Sequence, residues 1–177
     1  MATRKPRKLG AVPVEHVLTM RALSENGLDP DALSELEVLG TLSNHQRLIA
    51  GDVLVSARST RLAAALAPRE LEGVPFNATL IAIRCLPVLA PRLLLAYLRH
   101  PDGRAAVESL AQSGTVQMNV TVRALRKLPV PVPPLAEQER LVSLLTAADE
   151  AYTAALAAAA TRRNVAQNVV IKRLTSK

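Results

Sequence analysis

Leu128-Pro-Val-Pro-Val-Pro-Pro-Leu-Ala-Glu-Gln-Glu-Arg-Leu141 is the stretch that decides how this chain is organised. Alternating prolines lack the N–H groups that a helix or a central strand needs, so residues 128–134 are expected to be stiff and extended. The next segment has the opposite character. From Leu135 to about Arg173 there is neither Pro nor Gly, and Ala, the best helix former, dominates. A helix of about 39 residues would be about 58 Å long, too long to lie along so small a protein, and is expected to project. Leu141, Leu145, Ala148, Tyr152, Ala155, Ala159, Arg162, Ala166 and Val169 recur at spacings of four and three, a coiled-coil seam with one charged interruption. A long Ala-rich helix gains little by itself, so the seam implies a partner helix. Beyond Thr161 stand Arg162, Arg163, Lys172, Arg173 and Lys177 and no acid, which suits the C-terminal end of a helix dipole as well as it suits DNA.

Working back from the prolines, the first part reads as short strands, turns and small helices. Residues 11–20 are rich in β-branched and apolar types and precede the turn former Asn26-Gly27. Asp29-Pro30-Asp31 introduces a short helical turn from Ala32 to Glu37, closed by Gly40. Gly51-Asp52 makes a turn before the strand Val53 to Arg58, with Val53, Val55 and Ala57 on one face and Leu54, Ser56 and Arg58 on the other. Asp52 is expected to support that turn and not to bind a metal. Ser59-Thr60-Arg61 reads as a hairpin tip before the apolar run Leu62 to Leu66. Phe76 to Arg84 is the strongest strand pattern, and Pro91 opens a helix over Arg92 to His100. Pro101-Asp102-Gly103 breaks that helix before another ending near Ala111. The class is α+β: a mixed-sheet domain followed by a long projecting coiled-coil helix. The expected boundaries are 1–127 for the globular domain, 128–134 for the junction and 135–177 for the helix.

Composition narrows the function. The chain has 177 residues, 22 Lys and Arg against 15 Asp and Glu, and a net charge of +7, which favours a polyanionic partner. It has no Trp, one Phe and two Tyr, so modules that stack single-stranded bases on rows of aromatics are excluded, while duplex binding is not. One Cys and three scattered His give no zinc spacing, and the lone Cys85 fits a reducing, cytoplasmic setting. No secretory signal or membrane span is read in it.

Reading a duplex takes bidentate donors for base edges and cations for phosphates. Three polar stretches offer them: His45 and Arg47; Ser56, Arg58, Ser59, Thr60 and Arg61; and Gln112, Thr115, Gln117 and Asn119. A methyltransferase would need a polar-Pro-Pro-aromatic loop, and Val132-Pro-Pro-Leu135 has neither end. A nuclease would need clustered carboxylates, of which Asp102 with Glu108 is a weak echo.

The Leu128–Leu141 stretch resembles the junction between recognition domain and conserved helix in the specificity (S) subunits of type I restriction-modification systems. Leu48-Ile-Ala-Gly-Asp-Val-Leu-Val-Ser-Ala-Arg-Ser-Thr60, Asn77-Ala-Thr-Leu-Ile-Ala-Ile-Arg84 and Gly114-Thr-Val-Gln-Met-Asn-Val120 resemble further stretches of that family, in its order. The family usually carries two recognition domains and two conserved helices per chain, whereas this sequence has room for one of each. Ser59 stands where Gly is commoner, and the part before residue 40 matches loosely. The resemblance implies a half-length, non-catalytic subunit with no cofactor that binds double-stranded DNA. It implies partners too: a methyltransferase (M) subunit carrying the cofactor, a restriction (R) subunit that cuts, and a second copy making a homodimer on a bipartite palindrome. Leu141, Leu145, Ala148, Tyr152, Ala155 and Ala159 would form the helix interface. The competing reading is a protein-interaction adaptor that uses the Ala-rich helix and has only incidental affinity for DNA.

Overall fold

The computed structural model describes residues 13–24, 27–38, 40–111 and 118–176. They divide into two compact units, one ending at Val132 and the other beginning at Pro133.

The first unit is built on a three-stranded antiparallel sheet of β5 (Val53–Ser56), β7 (Ala64–Leu66) and β8 (Leu80–Ile83), in the order β7-β5-β8. All four residues of β5 are buried, because both faces of the sheet are covered. Leu54, Ala65 and Leu80 pack with Leu18, Leu48 and Leu71 on one side. Val53, Val55 and Ala64 pack on the other with Leu94 and Leu98 of α1 (Pro91–Arg99), Val107 of α2 (Pro101–Leu110) and Val120. The alternation expected along Val53–Ser56 is therefore real, but both of its faces are interior.

Around this sheet lie three two-stranded ribbons. β1 (Val14–Val17) pairs with β4 (Ser34–Glu37), β2 (Leu23–Ser24) with β3 (Gly27–Leu28), and β6 (Arg58–Ser59) with β9 (Met118–Asn119), all antiparallel. The one parallel feature among the described residues is a bridge between Leu18 and Phe76. β4 corrects the short helix expected over Ala32–Glu37. Its residues pair Ser34 with Val17 and Leu36 with Glu15, and a ladder on an open strand outweighs the small gain of one isolated helical turn. The strand expected from Phe76 is also shorter, since Asn77 Oδ1 accepts from the Thr79 N–H and makes a turn there.

Asp52 holds the entry to β5. Its carboxylate is 1% exposed and accepts from the Ile49 N–H and, through both oxygens, from the Arg84 Nε and Nη2, each at 2.9 Å. This is the turn-supporting role expected from the sequence, and it also ties the start of β5 to the end of β8. The hydrogen bond to Asp52 raises the Arg84 guanidinium above its ordinary value.

Pro101 does not simply end α1; it is the first residue of α2, and the His100 side chain accepts from the Asp102 N–H. Gly103 permits the tight corner. A Cβ there would lie 1.9 Å from the Tyr97 carbonyl oxygen, so α1 and α2 can meet only over a bare Cα. Gly103→Ala is expected to lower stability by about 1–3 kcal/mol or more, read as a shift of the urea midpoint at unchanged slope.

The second unit is α4 (Leu135–Thr175), a single helix of 41 residues. Pro133 and Pro134 lead into it: the Pro134 carbonyl accepts from the Glu137 and Gln138 N–H groups, and Gln138 Nε2 donates to the Pro133 carbonyl at 2.8 Å. Lys172 and Arg173 lie in the last turn, where the dipole favours cations. Of the seam residues, Leu141 and Leu145 are half-buried while Ala148, Tyr152, Ala155 and Ala159 are exposed. No helix among the described residues is long and apolar enough to cross a membrane.

Candidate nucleic-acid interface

Two of the three polar stretches meet in space. β6 and β9 pair so that Arg58 stands opposite Asn119 and Ser59 opposite Met118, and the Val120 N–H donates to the Ala57 carbonyl beside them. Residues 56 and 119 are far apart in sequence, yet the ribbon makes their flanks one surface. A hydroxyl relay fixes its shape. The Ala63 N–H donates to Ser56 Oγ, Ser56 Oγ lies 3.0 Å from Ser59 Oγ, and Ser59 Oγ donates to the Arg61 carbonyl at 2.5 Å. Because the one Ser59 proton goes to the Arg61 carbonyl, Ser56 is the donor to Ser59, so both serine hydroxyls of the loop are used.

Ser56 is placed apart from the exposed members of its stretch. It is fully buried and anchors the loop from within. Arg58, Thr60 and Arg61 are the exposed members, and Ser59 and Asn119 are half-buried at the ribbon's centre. Gln112, Thr115 and Gln117 lie outside the described residues.

The first stretch is arranged differently. His45 is exposed on a short 3-10 turn, Asn44–Gln46, closed by a capping box with Ser43. Arg47 donates through Nη1 to the Gly73 carbonyl at 3.0 Å and through Nη2 to Glu15 at 3.3 Å. It thus ties β1 and the Gly73 turn together instead of standing out towards a ligand.

Sequence reasoning passed over a further cationic feature. α3 (Val122–Leu125) starts three residues after Asn119, its first turn capped by Thr121 Oγ1 accepting from the Ala124 N–H. Arg123 and Lys127, four residues apart and both exposed, line a cleft of about 350 Å³ with Ser109 and Thr121. The i, i+4 spacing was the available signal; what concealed it was that so short a helix after a polar loop has no periodic pattern of its own.

No three His, Cys, Asp or Glu side chains converge among the described residues in a way that could hold a metal ion. The ribbon and cleft offer donors and positive charge, which is chemistry for binding an anionic polymer. Comparison with known proteins says which. The family model for the type I restriction modification DNA specificity domain matches residues 42–162, more than half of the sequence.

The chain belongs to that family.

A specificity domain is a recognition module, not an enzyme, and the match covers the ribbon-bearing unit from residue 42 onward and most of α4. Solved structures resemble it, among them two of the type I systems. One is the HsdS subunit from Thermoanaerobacter tengcongensis, at 24% identity and a TM-score of 0.57, over 79% of this chain and 37% of that one. The other was solved to explain complex assembly and conformational transition of the type I R-M system, at 22% identity and a TM-score of 0.58, over 78% of this chain and 36% of that one. At these identities they show a shared fold. This specificity chain spans little more than a third of their length. No curated protein matches it significantly.

Proposed function

We propose that this specificity chain reads one half of a bipartite, palindromic duplex site and does so as a homodimer, two copies joining through antiparallel α4 helices. The observation that carries the reading is the β6–β9 ribbon, which sets the exposed Arg58 opposite Asn119 on a loop pinned by hydroxyls. Arg with Asn is the donor set suited to guanine and adenine edges. His45, Thr60 and Arg61, with Gln112, Thr115 and Gln117, extend that surface in this reading. Arg123 and Lys127 serve as phosphate contacts that position without reading. Two copies would give an exact two-fold axis, so the target would be an interrupted palindrome. An M subunit would bring the cofactor and the chemistry, and an R subunit the cleavage.

The two classes of contact predict different losses. Arg58→Ala, and Arg61→Ala with it, are expected to cost about 1–3 kcal/mol on the specific duplex and little on others. Arg123→Ala with Lys127→Ala should weaken every duplex alike and reduce the slope of log affinity against log salt by about one per residue. Fluorescence anisotropy over a salt series, on specific and scrambled duplexes, checks both. If the Arg58 variant binds all duplexes as the parent does, the ribbon is not the reading surface. An adaptor with incidental DNA affinity would instead show no difference between the two duplexes for the parent itself.

A further inference from the structure

The coiled-coil seam leaves two apolar features unexplained, and they fit one another. The first is a groove of about 530 Å³ in the first unit, floored by Ile81, Ile83 and Cys85 and walled by Leu125, Leu128 and Val130. Leu86 and Val132, which also line it, are 72% and 53% exposed, and Arg84 and Arg126 add two cations to its lining. The floor is the outer strand of its sheet, β8, which among the described residues has a neighbour on the β5 side alone.

The second feature is the far end of α4. Val170, Ile171 and Leu174 are 55%, 57% and 75% exposed. At about 100° per residue these three fall within one arc, turned by about a quarter-turn from the seam that runs through Ala155, Ala159, Ala166 and Val169. Pairing along the seam would leave Ile171 and Leu174 in water. Three large apolar side chains on a helix otherwise rich in Ala and charge form a facet that needs its own cover.

Reach decides what covers it. Val132 on the groove rim is three residues before Leu135, and Leu174 lies about 58 Å along the helix from Leu135. An unbroken helix cannot bring its own far end back to the groove. The far end of an antiparallel second copy, however, falls beside the start of the first copy's helix, where residues 128–132 line the groove. We propose that the Val170-Ile171-Leu174 facet of one copy docks in the Ile81/Ile83/Leu128 groove of the other, twice per dimer by symmetry. This rests on the antiparallel homodimer proposed above.

The contact would have a function that the seam cannot perform. Small Ala knobs are nearly equivalent from one heptad to the next, so they specify register weakly. A slip of one heptad moves the two recognition domains by about 10 Å, or about three base pairs of duplex. A facet seated in a groove fixes the overlap, and with it the spacing of the half-sites.

Cys85, the one cysteine of the sequence, lines the groove and makes the test direct. In Leu174→Cys the introduced thiol should form a reducible intermolecular disulfide with Cys85 under mild oxidation, mapped by peptide mass. Neither Leu174→Cys with Cys85→Ser nor a mid-helix Ala157→Cys should do so. Burial raises the Cys85 thiol above its ordinary value, so the reaction is run at alkaline pH. In parallel, Ile171→Glu should remain a dimer yet lose preference among duplexes whose half-site spacing differs by about three base pairs. A sedimenting dimer with no Cys85 linkage, or an Ile171→Glu dimer with unchanged spacing preference, overturns the docking while leaving the homodimer intact. A monomer overturns both.

Discussion

Ala148→Glu combined with Ala155→Glu is expected to yield monomers that bind DNA about 10²- to 10⁴-fold more weakly than the parent. The two positions are seven residues apart on one face of α4, and both are exposed in the single chain. In an antiparallel pair, small seam residues let two backbones approach closely. A carboxylate there loses water, and against the four carboxylates introduced per dimer the seam offers one cation per chain, Arg162. The loss on DNA arises from linkage and not from any altered contact to bases. Each dimer holds two half-sites, so the second binds at the effective concentration set by the first, and a monomer forfeits that gain. A monomer also neutralises half as many phosphates, so its salt slope should be about half the parent's. Sedimentation at micromolar protein reads the first effect, and anisotropy on a full palindrome and a single half-site reads the second. The reading is lost if the double variant still sediments as a dimer, or if the parent prefers a continuous, asymmetric site.

How much of this was legible in the sequence differs between the two units. α4 was nearly complete in it, because its extent is set locally: alternating prolines keep residues 128–134 extended, and Ala with charged residues strongly favours helix after them. β5, α1 and α2 were also plain, since a buried alternating strand and proline-led helices carry their own signals. What could not be read were features created by pairing between distant segments. β4 is a strand because β1 lies beside it, and nothing within Ala32–Glu37 announces that. Likewise Ser56 and Arg47 stand in the sequence as polar members of polar stretches. Their roles as a loop anchor and as a tie to Glu15 and Gly73 exist only once the chain is closed. The meeting of Arg58 with Asn119 is of the same kind: both residues were named, but their juxtaposition is made by the β6–β9 ladder.

The ion pair at the entrance to β5 makes the second large effect. Arg84→Ala is expected to lower stability at pH 7 by about 3 kcal/mol, because it leaves Asp52 charged and buried with a single remaining donor, the Ile49 N–H. Arg84 itself is half-exposed, its side chain 48% accessible, so losing its own packing matters less than what its loss does to Asp52. The difference between the urea midpoints of the two proteins at unchanged slope reads the loss. Adding Asp52→Asn to Arg84→Ala keeps an oxygen for the Ile49 N–H and removes the buried carboxylate, so it should recover part of the loss at pH 7. A double variant no more stable than Arg84→Ala would mean that Arg84 acts through its own contacts, and that Asp52 is satisfied by the turn alone.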